Sequence, residues 1–268
     1  MPTFGYEGFK IAFDQRGRKQ GAAARPIVLI HGLLLPRKHH VPLADALADR
    51  GNRVILIDLL GHGESDRPPE SRHYAMDIFS RQVVGLLDHL DIPEAIVAGT
   101  SLGANVSLEA AYHYPARVKG LVIEMPVLEK AAPAAGAMFL PLALAYTHGA
   151  TLFQWAAAGF RRIPRGLALY TDVLLDLMSQ DPIPSSAILR GLLTSRMCVH
   201  PNDRPKIDQP ALIMGHERDI LHPFTDAETL SRELPNGELV RSSSFLELRF
   251  PPNRLSDRVA DFLDEVWA

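Results

Sequence analysis

The chain has 268 residues, with 28 basic side chains against 31 acidic ones, a formal net charge of −3, 47% hydrophobic residues and 22% charged ones. This is the profile of an ordinary globular protein long enough for one large domain with a sizeable core, and it excludes intrinsic disorder. The absence of a basic surplus argues against a dedicated nucleic-acid binder, and the single cysteine, Cys198, excludes a disulfide scaffold and suits a reducing compartment.

Met1–Lys10 has no basic segment followed by an apolar run, so no secretory signal is read there and a cytoplasmic location is expected. The first fourteen residues alternate aromatic and polar positions around Gly8, the pattern of a hairpin of two short strands. Short apolar runs follow at Pro26–His31, Arg53–Asp58, Ala95–Gly99, Gly120–Met125, Ala211–Gly215 and, last, Gly237–Arg241. All but the last are rich in Val, Ile and Leu and stop abruptly, as strands buried on both faces do. Helical spacing appears at Val41–Arg50, Tyr74–Leu90, Leu102–Tyr114, Thr225–Leu234 and Asn253–Val266. Strands alternating with helices predict an α/β fold, a doubly wound and mostly parallel sheet, with any ligand at the carboxyl ends of the strands.

One stretch breaks this alternation. Residues 127–209 carry no clear strand and are expected to form a helical lid inserted into a core made of residues 1–126 and 210–268. Within it, Ala131–Phe160 contains no Asp, Glu, Lys or Arg. Pro141 and Thr147-His148-Gly149 interrupt the run, so two short apolar helices joined by a turn are predicted rather than a stable membrane span. An apolar lid favours an apolar small-molecule substrate, while a homodimer interface or a shallow membrane contact explains the composition almost equally well.

The strand Ala95–Gly99 runs into Gly99-Thr100-Ser101-Leu102-Gly103 and then a helix. This is G-x-S-x-G at a strand-to-helix turn, where a serine hydroxyl is held above the sheet on a strained backbone and glycines admit crowded neighbours. The helix beginning at Leu102 also aims free N–H groups at any nearby anion.

Here the chain resembles the α/β-hydrolase family over nearly its whole length. His31-Gly32 is similar to the family's "HG" oxyanion turn, Asp58-Leu59-Leu60-Gly61-His62-Gly63-Glu64-Ser65 to its D-x-x-G-x-G-x-S loop, and Gly215–Asp219 to the strand end that carries its acid. The resemblance implies Ser101 as nucleophile, Asp219 as acid and an oxyanion hole formed by the N–H groups of Leu33 and Leu102. It also implies structural roles for His31 and His62. Glu124 is the spare acid, because some relatives place theirs after that strand.

The base departs from the pattern. Relatives carry a histidine after the last strand, shortly before a proline that opens the final helix; here that position is Ser244, and no histidine follows His222. A hydroxyl cannot substitute for an imidazole that titrates near neutrality. His222, three residues after Asp219, is the first alternative, His40 the second and His148 the third. The spacing of six between His216 and His222 does not match H-E-x-x-H, so no metal is expected. No G-x-G-x-x-G after a strand and no G-x-x-x-x-G-K-[ST] occurs, so no cofactor is expected either. The expected activity is serine-type hydrolysis of a small, mostly apolar carboxylic ester or related acyl compound. A ligand-binding protein without turnover and a non-hydrolytic lyase stay open as alternatives.

Overall fold

The computed structural model describes residues 2–17, 25–166, 168–217, 219–244 and 247–268. The N-terminal alternation forms a hairpin of β1 (Thr3–Tyr6) and β2 (Phe9–Gly17). Its two-residue turn places Glu7 at φ 47° and Gly8 at φ 88°, the positive-φ geometry that matches strand twist. The apolar runs become β3 (Pro26–Ile30), β4 (Arg53–Ile57), β5 (Ala95–Thr100), β6 (Val118–Glu124), β7 (Ala211–His216) and β8 (Gly237–Ser242). β3 and β5 are buried along their whole length, which is why they read as continuous apolar runs instead of alternating ones.

The eight strands form one sheet in the order β1-β2-β4-β3-β5-β6-β7-β8, antiparallel at β1, β2 and β4 and parallel from β4 onward. The helices are α1 (Val41–Asp49), α2 (Met76–His89), α3 (Leu102–His113), α4 (Ala132–His148), α5 (Ala150–Arg161), α6 (Leu169–Met178), α7 (Pro182–Thr194), α8 (Phe224–Glu233) and α9 (Arg254–Trp267).

Two apolar layers flank the sheet. Leu43 and Leu47 of α1 pack with Val259, Phe262 and Leu263 of α9 against Ile27, Leu29, Leu56 and Ile96 on one face. Phe79 and Val83 of α2, Val106 and Leu108 of α3 and Leu230 of α8 cover Val28, Ile30, Ile55 and Ile213 on the other. Each fully buried side chain of this size contributes about 1.5–3 kcal/mol. Chain order reverses at β3, which lies between β4 and β5, with Ile30 level with Gly99. The turns leaving β3 and β5 therefore meet at a switch point of the sheet, the place where such folds open a crevice.

Among the described residues the insertion between β6 and β7 holds four α-helices, α4 to α7. The predicted pair in the uncharged stretch is α4 and α5, which break at Gly149 and cross at 96°. Among the described residues no single helix is long and apolar enough to cross a membrane.

Candidate active site

Ser101 stands between β5 and α3 with φ 55° and ψ −110°. A non-glycine residue in this region costs on the order of 1–3 kcal/mol and persists only where its surroundings fix it. Two glycines do so. A Cβ on Gly99 would lie 2.1 Å from the Gly103 carbonyl carbon, and one on Gly103 would lie 2.2 Å from the Ile30 oxygen. The Ser101 N–H donates to the Glu124 carbonyl at 2.9 Å, tying the bend to β6.

The loop after β7 supplies the partners. His222 Nε2 lies 2.9 Å from Ser101 Oγ, and His222 Nδ1 lies 2.7 Å from Asp219 Oδ2. An ionised carboxylate only accepts, so Nδ1 carries the proton and Nε2 is left to accept from the serine hydroxyl. The other carboxylate oxygen, Oδ1, accepts from the backbone N–H groups of Leu221 at 2.9 Å and His222 at 3.0 Å. Burial alone would raise the Asp219 pKa. The hydrogen bonds from the His222 ring and from the two backbone amides outweigh it and hold the carboxyl below its usual value. The three side chains form one hydrogen-bonded chain with the geometry of a Ser-His-Asp triad.

The chain opens onto a narrow cavity of about 50 Å³, room for a few water molecules. Its walls are Leu33, Met76, Leu102, Ala135 and Phe139 of α4, Leu189, Leu192 and Leu193 of α7, and Met197. Leu33 and Leu102, the two residues whose amides the resemblance assigns to an oxyanion hole, thus border the space in front of Ser101. A Cβ on Gly32 would sit 4.0 Å from that of Ser101, so the turn after β3 abuts the serine. The amide of Leu102 belongs to the first turn of α3, where N–H groups have no acceptor within the helix.

The sequence model of the alpha/beta hydrolase fold matches residues 25–162, about half of the chain. The chain belongs to the alpha/beta hydrolase fold family. It is 32% identical over 117 residues to a provisionally named non-heme haloperoxidase of Mycobacterium phage D29, a match covering 44% of this chain and 40% of the phage protein. It is 23% identical over 256 residues to the uncharacterized hydrolase YugF of Bacillus subtilis, covering 91% of this chain and 92% of that protein. Among solved structures it resembles the enol-lactonase of Burkholderia xenovorans LB400 with a TM-score of 0.75 at 20% identity, covering 99% of each chain.

Within this alpha/beta hydrolase fold the other histidines named from the sequence are engaged elsewhere. His31 donates from Nδ1 to the Gly32 carbonyl at 2.8 Å and accepts the Leu59 N–H at Nε2, 3.0 Å away. His62 bonds the Leu60 carbonyl at 3.1 Å and His40 the Ile30 carbonyl at 3.2 Å. All three are buried, and burial lowers their pKa values, so they are neutral struts of the loops. His148 ends α4, exposed and outside the residues lining the cavity.

The ground behind the serine is taken by an ion pair that the sequence reading did not anticipate. Arg249, 2% exposed, bonds the Glu124 carboxylate and donates to Thr100 Oγ1 at 3.1 Å, while Thr100 also donates to Glu124. Glu124, the spare acid, is thereby committed to Arg249 and Thr100. No local signal pairs Arg249 with Glu124, because the two are 125 positions apart in the chain.

Asn105 and Asp226 anchor the inserted helices. Asn105, one turn beyond Ser101, donates to the carbonyls of Val127 and Met197, both at 2.7 Å, and accepts the Val127 N–H at 3.1 Å. It thereby ties the start of the insertion to the segment just after α7 beside the serine. Asp226 accepts the N–H groups of Leu128, Lys130 and Ala131 at 2.9, 3.3 and 3.0 Å. Asn105, Met76 and the α7 wall were not singled out from the sequence. The apolar stripe Ile188, Leu189 and Leu192 was the available signal for the α7 wall.

Proposed function

We propose that this protein is a serine-type hydrolase of small, mostly apolar carboxylic esters or related acyl compounds, with Ser101 as nucleophile, His222 as base and Asp219 as its orienting acid. The observation that carries this reading is the 2.9 Å contact between His222 Nε2 and Ser101 Oγ, with Asp219 bonded to the far side of the ring. Membership of a family whose members are generally hydrolases supports it. The apolar walls of the cavity support the substrate class.

In the proposed reaction Ser101 Oγ attacks the ester carbonyl as its proton passes to His222 Nε2. The carbonyl oxygen becomes an oxyanion, which the N–H groups of Leu33 and Leu102 stabilise; such a donor is typically worth about 10²–10³ in rate. Collapse expels the alcohol, which takes the proton from His222, and leaves an acyl group on Ser101. Water, deprotonated by the same imidazole, then releases the carboxylic acid and restores the serine. Asp219 fixes the Nδ1–H tautomer and stabilises the imidazolium that forms in each half-reaction. Residues 127–209 act as a lid on the core of residues 1–126 and 210–268. A cavity this small admits an ester only as α4 and α7 give way, and Asn105 and Asp226 are the anchors about which they do so.

A fluorophosphonate probe tests the reading directly. Labelling of Ser101, lost in Ser101→Ala, together with cleavage of short-chain nitrophenyl esters above background, is the expected result. No labelling and no cleavage would sink it.

A further inference from the structure

Surface helices of a globular protein normally turn a charged face to water. The outer faces of α4 and α5 do not. Leu140 and Leu144 of α4 are 53% and 50% exposed, and Leu152 and Trp155 of α5 are 72% and 76% exposed. The other outward positions are Pro133, Ala137, Met138, Pro141, Thr147, His148, Thr151, Ala156 and Gly159, so the exposed face of both helices holds no charged side chain before Arg161, the last residue of α5. Leaving this much apolar surface in water is costly, and contiguous patches of the kind mark contact sites.

The composition of the flanks identifies the occupant. The charged residues nearest the pair are Glu129 and Lys130 before α4 and Arg161, Arg162 and Arg165 at and after the end of α5, four basic against one acidic, and Glu129 is paired with Arg204. Lys130, Arg161 and Arg162 are exposed at the two ends of the helix pair. An apolar face bounded mainly by cations complements a bilayer surface bearing anionic headgroups. A protein interface of similar extent would need polar groups to set its register, at about one hydrogen bond per 100–200 Å². The outer faces offer only Thr147, His148 and Thr151, whereas a fluid bilayer requires no register. Trp155 brings an indole suited to the headgroup region. The 96° bend at Gly149 prevents the pair from crossing as one straight span while letting both helices lie against the same surface.

We infer that α4 and α5 form a docking surface for an anionic phospholipid bilayer, with Leu140, Leu144, Leu152 and Trp155 entering the interface and Lys130, Arg161 and Arg162 engaging its headgroups. The opposite side of α4 carries Ala135 and Phe139, which line the cavity at Ser101. One helix thus separates the bilayer from the serine, so docking would give amphiphilic esters a route to the cavity. That last consequence rests on the proposed hydrolase activity; the docking itself does not.

The test is flotation of the intact protein with phosphatidylcholine vesicles, with and without phosphatidylglycerol. The protein is expected to float with the anionic vesicles and much less with the neutral ones. Leu152→Glu/Trp155→Glu should reduce that binding by about tenfold or more, and Lys130→Glu/Arg162→Glu should abolish the preference for phosphatidylglycerol. Both variants should keep the wild-type circular dichroism and melting temperature, since the altered side chains are exposed. Wild-type protein that stays in solution, or a Leu152→Glu/Trp155→Glu variant that floats as well as wild type, overturns the inference. So does a wild-type dimer that this variant dissociates without any vesicle binding, because the face then belongs to a second copy. Turnover of a soluble short-chain ester, measured separately, reports on Ser101 alone, so failure of the hydrolase reading and failure of docking are read from different assays.

Discussion

His222 and Ser101 are 121 positions apart in the chain and 2.9 Å apart in space, and the loop that carries the imidazole also carries Asp219. Asp219 and His222 therefore form one local unit. Asp219 Oδ1 caps the backbone amides of Leu221 and His222 while Oδ2 holds the ring. The loop positions its own histidine, and the serine meets it from the end of β5, two strands away in the sheet.

Removing the imidazole should therefore remove the chemistry. His222→Ala is expected to lower kcat/KM for a short nitrophenyl ester by about 10²–10⁴-fold. Asp219→Asn is expected to cost up to roughly 10⁴-fold, because an amide can hold the wrong tautomer. His40→Ala should change stability and leave the acylation rate close to wild type. Stopped-flow acylation rates equal in wild type and His222→Ala would remove His222 from the mechanism.

Stability should fall on mild acidification. His31, His40 and His62 are buried with pKa values lowered from 6.5, and burial pushes His39 down to about 3. A depressed folded-state value means that the unfolded chain takes up protons first. The stabilisation is therefore complete above about pH 6.5 and is lost progressively below it, down to about pH 3 for His39, by up to about 1.4 kcal/mol per pH unit for each histidine. Urea unfolding at pH 7.5, 6 and 5 measures this, and a flat profile would contradict it.

The bend at the serine depends on its glycines. A methyl group on Gly103 would have to occupy space 2.2 Å from the Ile30 oxygen, which belongs to backbone that cannot swing away. Gly103→Ala is expected to destabilise the fold by about 2 kcal/mol or more. A melting temperature equal to wild type would show that α3 can shift outward at no cost.

The Arg249–Glu124 pair gives an asymmetric expectation. Arg249→Met leaves the Glu124 carboxylate buried without its cation and should cost about 3–5 kcal/mol, whereas adding Glu124→Gln should recover most of the loss. If the double variant is no more stable than Arg249→Met in denaturant titration, the pair is not what the single change disrupts.

Cavity size should set chain-length preference. Phe139 projects from α4 into the wall facing Ser101, and its truncation to Ala enlarges the acyl space. The ratio of kcat/KM for hexanoate over acetate esters should rise roughly tenfold. An unchanged ratio would place the acyl chain against another wall.

Much of the fold was legible because it is local. Runs such as Ile27–Ile30 and Ile96–Ala98 mark strands covered on both faces, and Gly99-Thr100-Ser101-Leu102-Gly103 encodes its bend within five residues. The Asp219–His222 unit could be named for the same reason, since its partners are three residues apart. Which of His222, His40 and His148 meets the serine depends on how β7 and β5 sit in the sheet, and no spacing along the chain carries that. The same holds for Arg249, whose buried pairing with Glu124 and Thr100 joins three elements distant in sequence.

Composition gave the apolar character of residues 131–160 but could not say which side chains face the cavity and which face water. The sequence determines which segments pair with their own neighbours and which single turn strains a serine. Only the packing of distant elements decides which imidazole reaches it, which charges are buried together and which apolar face is left uncovered, because those are contacts between surfaces that exist only once the sheet is assembled.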